Sequence, residues 1–420
     1  MPSNLPLPAA IALVAMLIAT TGLSQFYRAS TTVIAPELIR DLALTPAMLG
    51  FANACFFLAL LAIQVPVGIL FDRIGARRTV AGLAAVAVAG SLLHAIARDG
   101  DDLAFARFIV GLGHGASFMS TVFLVSRWYP PERWSTALSW VFSASMIGIL
   151  AAGPPLAAAS QTIGWRASYV GMAAVQGLVG LLFWMLVRDS PPGHIEPPRQ
   201  REGILAALRG FGAILRLAGL PRVMALQVVA YAVLATMMGL WAGPYLHDVH
   251  GLEPFARGNV LAAMALAQFL GVLVVGPLDR VFDTRKRVAV AGAGATIVTL
   301  AALAAVPQPS TSIAIGLLVL LSAVSVYGVV VVAHGRSFYP EALAGRGTTT
   351  FNMAQLIGCA LMPMLTGLIP HGFEATARGY SPVAYQAIFA SIAVSLGVGL
   401  AAYAASRDVK PSEGRLRAAE

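Results

Sequence analysis

An all-α integral membrane protein with twelve transmembrane helices is the fold that three observations predict. The chain of 420 residues is 58% hydrophobic and 11% charged, whereas soluble domains carry about 25% charged residues. Its apolar residues gather into about twelve runs of roughly 20–28, each able to cross a hydrocarbon core near 30 Å. The basic residues are placed unevenly. With both ends and the even-numbered hairpins on one face, 21 of the 28 Lys and Arg fall on that face. Five fall on the other (Arg40, Arg98, Arg166, Arg257, Arg378), and Arg28 and Arg107 lie inside runs. That asymmetry puts both termini in the cytoplasm. The net charge of +9 therefore sets topology, with a lipid bilayer and not nucleic acid as its partner.

The runs follow in order. Residues 8–36 form the first, and since Met1–Ala10 lacks the positive start of a cleaved leader, it is expected to stay as a helix. Residues 47–71 form the second, closing on Gly68-Ile-Leu-Phe-Asp72-Arg73-Ile-Gly75-Ala-Arg77-Arg78, where charges meet the bilayer surface and glycines permit a tight turn. Residues 79–97 and 103–126 are the third and fourth, 136–159 the fifth, carrying Gly153-Pro154, and 167–187 the sixth. Residues 188–222 are the one long polar interruption, holding two Pro pairs and six arginines. They read as a cytoplasmic linker, either disordered throughout or with an amphipathic surface helix over Gly203–Leu217. The second half repeats the pattern at 223–246, 257–281, 288–306, 312–335, 348–370 and 382–405. The expected domains are thus 1–187, a linker 188–222, 223–405 and a cytoplasmic tail 406–420.

The halves echo each other weakly. Gly276-Pro-Leu-Asp279-Arg280-Val-Phe-Asp283-Thr-Arg285-Lys286 stands where Gly68–Arg78 stands in the first half, its aspartate displaced by one position. Arg127-Trp-Tyr-Pro-Pro-Glu132-Arg133 is echoed by Arg336-Ser-Phe-Tyr-Pro-Glu341, with Arg346 beyond. Parallel repeats with a site between them are a known transporter design.

The order Gly68, Asp72, Arg73, Gly75, Arg77, Arg78 resembles the loop signature of the major facilitator superfamily, and the repeats extend the resemblance over nearly the whole chain. The resemblance implies two six-helix bundles around a central cavity, and alternating access, in which the two bundles rock about a central site. It also implies a gating task for this loop, with Asp72 meeting the positive N-terminus of the eleventh helix near Gly347. The segment Tyr27-Arg28-x-Ser-x-x-Val-x-x-Pro36 is similar to the first helix of organic-anion members, where an arginine meets the substrate's carboxylate. Snorkelling of Arg28 to the outer interface is the other reading. Arg107, followed by Gly111, Gly113, His114 and Gly115, matches the family's fourth-helix pattern. It is either a substrate contact or a hydrogen-bonding anchor between helices. His114, two helical turns on, shares its face and is the proton-coupling candidate.

A charge in hydrocarbon is costly and marks function. The acidic residues all fall in loops, tails or span ends, so two positive charges and no negative one occupy the membrane, a balance that favours an anionic guest. Gln25, Tyr27, Asn53, Gln227, Tyr231, Trp241, Gln268, Tyr327, Asn352 and Gln355 lie on runs that line the central cavity in this family, and are expected to complete an amphiphilic site. Cys55 and Cys359 fall inside runs, and no pattern resembles a metal, nucleotide or catalytic site. The favoured function is a secondary carrier of a small organic anion in a bacterial inner or plasma membrane, working as a monomer without cofactor, with the proton as candidate coupling ion. A proton-linked exporter is the alternative, suggested by Gly153-Pro154; a membrane sensor that moves nothing is a third.

Overall fold

Helix after helix is long and apolar enough to span a membrane. The computed structural model describes residues 7–129, 133–191, 219–339, 344–376 and 379–410, with a few isolated positions between 212 and 217 and Ser412. Among them spans 1–4 are Ala9–Val33, Pro46–Phe71, Ala76–Ala95 and Gly100–Trp128. Spans 7–12 are Leu220–Asp248, Pro254–Val281, Arg285–Ala305, Thr311–Arg336, Gly347–Gly372 and Pro382–Ala404. Between the two sets runs one helical stretch, Ala137–Leu186, of 50 residues. As one straight helix at 1.5 Å per residue it would be about 75 Å long, about two and a half times a bilayer core. It reverses inside: Gly164 takes φ +81°, ψ 156°, a backbone a side chain would resist. Spans 5 and 6 lie on either side, restoring the expected twelve.

Local chemistry starts the helices where the sequence punctuates them. Thr45 accepts a hydrogen bond from the Met48 amide at 3.2 Å, with Pro46 at the first helical position. Asp99 caps span 4 through the Asp102 amide at 2.9 Å, and Thr284 caps span 9 through the Arg287 amide at 3.2 Å. Four spans are irregular midway, span 5 among them, where turns at Met146 and Gly153 divide it. Span 4 is interrupted after His114, span 7 carries a π-helical turn at Met237–Trp241, and span 10 a 3-10 turn at Ser325–Tyr327. Such backbone survives at membrane depth only where protein or a cavity surrounds it.

The halves meet along spans 2 and 11, 5 and 8, and 1 and 7. Several of these contacts demand glycine; a Cβ at Gly50 of span 2, for one, would come within 2.5 Å of the Pro363 carbonyl oxygen of span 11. The Gly243 amide of span 7 donates to Thr32 Oγ1 of span 1 at 3.0 Å, and a Cβ at Gly243 would strike the Thr32 carbonyl. Gly153 of span 5 faces Gly258 of span 8 so closely that a Cβ on either would come within 3.0 Å of the other's backbone. These contacts lie towards the hairpins opposite the chain termini. Small residues let helices approach where lipid supplies no hydrophobic drive.

Arg257 departs from its expected place in an outer loop. It is 1% exposed, donating to the Val33 carbonyl at 3.1 Å and to Glu37 Oε1 at 2.8 Å. Glu37 belongs to a short helix, Ala35–Leu42, that follows directly on span 1. That hairpin helix was not foreseen, and it carries a carboxylate from one half to a buried cation of the other. The Gly203–Leu217 segment lies almost entirely outside the described residues.

Candidate functional site

One side of span 1 presents Thr21, Ser24, Gln25 and Arg28 to a central chamber of about 310 Å³. The spacing is that of one helical face. Span 4 adds His114 and Ser117, span 7 Gln227 and Tyr231, and span 11 Thr348, Asn352 and Gln355. A narrow neck above it is lined by Arg28, Phe57, Tyr231, Met238 and Gln268. A side lobe of about 270 Å³ opens off the chamber between spans 5, 8 and 10, sharing Phe142, Met146, Gln227, Tyr231, Val332 and Gln355 with it. The three form one connected space at the level where spans 4, 7 and 10 are irregular. The chamber lies in the half of the membrane nearer the chain termini, and the packed contacts described above close the opposite side.

Arg28 sits five residues before the end of its helix and stays inside. Its guanidinium carbon is 5.7 Å from the Phe57 ring centroid, and the Tyr231 hydroxyl lies against it. Its Nε is buried without a partner. Among the described lining residues no Asp or Glu appears, so the guanidinium has no counter-charge there. Other polar atoms around the space are unpaired as well: His114 Nε2, Gln227 Oε1 and Gln268 Oε1. Gln227 and Gln355 clamp spans 7 and 11 through an Nε2–Oε1 bond of 3.1 Å. A buried donor or acceptor left unsatisfied is unfavourable, so Arg28 Nε suits a negatively charged group, and the two glutamine oxygens suit a hydrogen-bond donor on the same guest.

Arg107 does not reach the chamber. It is fully buried, donating to the Tyr27 carbonyl at 2.6 Å and to Asn53 Oδ1 at 2.8 Å, with its guanidinium 4.9 Å from the Phe56 centroid. Those bonds tie spans 1, 2 and 4, the anchor reading of its two. Tyr27 and Asn53 thereby leave the expected lining: Tyr27 also donates its hydroxyl to Ser91 Oγ at 2.9 Å, pointing towards span 3. Trp241 leaves it as well. Its Nε1 donates to Thr366 Oγ1 at 2.9 Å, and its ring meets Tyr380 and Tyr385 edge-on on the side away from the chain termini. Tyr327, fully buried, packs on Gly292 of span 9. All four belong to spans that do line the cavity; Tyr27, Asn53 and Trp241 turn towards the neighbours they bond, whereas the Tyr327 hydroxyl is buried without a partner. Gln25, Gln227, Tyr231, Gln268, Asn352, Gln355, Arg28 and His114 remain.

The Gly68–Arg78 loop is held within its own half. Gly75 takes φ +88° and begins span 3. The Arg77 amide donates to Asp189 Oδ1 at 2.7 Å, and Arg77 Nε to the Trp184 carbonyl at 2.5 Å, both just past or inside span 6. Gly68 leaves ordinary space beside Met119, Arg73 and Arg78 are exposed, and the Asp72 side chain lies outside the described residues. The second half repeats the clasp: Asp408, after span 12, accepts from the Arg285 and Lys286 amides at 3.2 and 3.1 Å. A carboxylate over a helix N-terminus is favourable. Its signal, Arg188-Asp189 and Arg407-Asp408 at matching places, was present but unused. His94 was missed also: wholly buried, it stacks on Tyr169 with centroids 3.8 Å apart and planes 7° from parallel.

No group of three or more His, Cys, Asp or Glu side chains gathers as a metal site among the described residues. The family model described as Major Facilitator Superfamily matches residues 17–363. The chain is 23% identical over 290 residues to the probable galactarate/D-glucarate transporter GudP of Escherichia coli K12, covering 63% of this chain and 64% of that protein. It is 25% identical over 226 residues to the nitrate/nitrite transporter NrtP of Picosynechococcus, covering 47% and 42%. The matched stretches thus span less than two thirds of either relative. In fold it is similar to a bacterial homologue of the human lysosomal transporter Spinster, crystallised inward-facing and unoccupied. There the TM-score is 0.72 at 20% identity, over 96% of this chain and 97% of that one.

Proposed function

The chain belongs to the major facilitator superfamily, and from that premise we propose that it is a secondary carrier moving a small organic anion by alternating access. Arg28 carries the reading: a guanidinium between the two halves, against Tyr231, with no carboxylate among the described lining residues. At an effective dielectric near 20 a carboxylate about 4 Å away gains about 4 kcal/mol, less as water enters. That gain opposes the loss of the anion's hydration, and the Tyr231 hydroxyl beside Arg28 adds a hydrogen-bond donor. Relatives named for galactarate, glucarate and nitrate, all anions, support the class of cargo.

The distribution of basic residues supports cytoplasmic termini. The chamber then opens inward, and Glu37–Arg257 with the Thr32–Gly243 contact forms the closed outer gate. We assign Gly68, Asp72, Arg73, Gly75, Arg77 and Arg78 to the opposite gate, which forms when the inner side closes. His114 is the candidate for coupling to a proton, and a single copy suffices because the cavity is complete within one chain.

Protein in lipid nanodiscs should be stabilised by mono- and dicarboxylates and not by cationic drugs. Arg28→Ala should lose that response while Arg28→Lys keeps part of it. An undiminished anion response in Arg28→Ala would overturn the reading, as would anion-independent uptake of cations in proteoliposomes.

A further inference from the structure

We propose that the cargo is an amphipathic anion: a carboxylate held at Arg28 carrying an apolar body that fills the lobe between spans 5, 8 and 10. This rests on the anion reading above and goes beyond it in naming the rest of the molecule. Polar groups of the connected space crowd around Arg28. Gln227, Tyr231 and Gln355 belong to the chamber and the lobe together, and Gln268 to the neck and the lobe. Past that boundary the lobe is walled by Leu234, Phe269, Val272, Val326 and Val329, with Phe142 opposite. Its remaining polar residues are Ser143 and Ser325, and Ser325 is already within 3.4 Å of Thr296 Oγ1.

A polyhydroxylated acid such as glucarate, the cargo in the relative's name, would put hydroxyls against these walls without partners. A carboxylate with an aliphatic or aryl body places its charge at Arg28 and its carbon surface out of water, and a single hydroxyl near the carboxylate would reach the unpaired Gln227 and Gln268 oxygens at the boundary. The lobe's volume of about 270 Å³ is modest, which favours a body of medium length over a lipid-sized chain. Each methylene entering it tightens binding about fourfold.

The test is a chain-length series (acetate, butyrate, hexanoate) with phenylacetate and glucarate, titrated onto the whole protein in nanodiscs. Affinity should climb about fourfold per methylene, and glucarate should bind more weakly than hexanoate. Phe269→Ser should flatten the climb yet leave acetate binding intact, which also shows that the variant is folded. Should that variant fail to fold, Val329→Ser serves the same purpose. A flat series that still needs Arg28 overturns the amphipathic cargo and leaves the anion carrier standing; so does a lipid acyl chain resident in the lobe, which would flatten the same series. A climb that survives Arg28→Ala, or appears equally with hexanol, overturns the anion reading itself.

Discussion

Removing the Glu37 carboxylate should open the outer face. Arg257 is 1% exposed and draws its one ionic contact from the other half of the protein, at 2.8 Å. Truncating one member of a buried, hydrogen-bonded charge pair costs about 2–5 kcal/mol, largely because the other charge stays buried alone. The Glu37 side chain keeps 18% of its surface exposed, so the lower end applies. About 2 kcal/mol is roughly a 30-fold shift in a two-state equilibrium. When the outer side opens, Arg257 gains water, so Glu37→Gln penalises only the closed arrangement. An outward-open minority of about 1% would rise to about a quarter. Spin labels at two exposed outer positions, Asp101→Cys on span 4 and Ser310→Cys before span 10, report the change as a longer inter-label distance. Cys55 and Cys359 are buried and do not interfere. An unaltered distance distribution in Glu37→Gln would refute the latch. So would equal loosening in a variant of the exposed Arg40–Asp41 pair, which lies within one half.

Further expectations follow from other contacts. Gly243→Ala puts a methyl into the Thr32 carbonyl; it should favour the same outward-open population and slow uptake several-fold, and wild-type flux would count against that closure. Arg107→Ala strands the Tyr27 carbonyl and Asn53 Oδ1. At about 1–3 kcal/mol for each unsatisfied group the melting temperature should drop sharply, while the dissociation constant for anions changes less than about threefold. A selective loss of binding would instead make Arg107 a ligand. His250, in the outer hairpin before span 8, is held below its ordinary value of 6.5 by burial. The unfolded chain therefore binds its proton first, so stability is lost as pH falls below about 6.5. His250→Gln should reduce the acid-side decline in melting temperature, and an identical pH profile would remove His250 from it.

Much of this molecule was legible because membrane burial acts on whole segments. A run such as 47–71 must be helical and must cross, since hydrocarbon leaves backbone groups no other partner. The Gly75 turn, the weak repeat at Gly276–Lys286 and the lone Arg28 could likewise be picked out by residue type. Orientation of single side chains could not. Tyr27 and Arg28 are neighbours, yet one faces Ser91 and the other the chamber. A polar residue on a cavity-lining span can be satisfied by the next helix, as Trp241 is by Thr366.

The sequence by itself therefore determined twelve crossings, the uneven placement of its basic residues between the two faces, and an excess of intramembrane positive charge. Those follow from transfer free energies, which add along the chain without regard to who packs against whom. Only the tertiary structure decided which arginine is a brace and which lines the cavity. It alone brought Glu37 to Arg257 across 220 residues and gave the cavity its apolar lobe. Those outcomes depend on which groups meet at hydrogen-bonding or van der Waals distance, and such distances are set by the packing of the two halves.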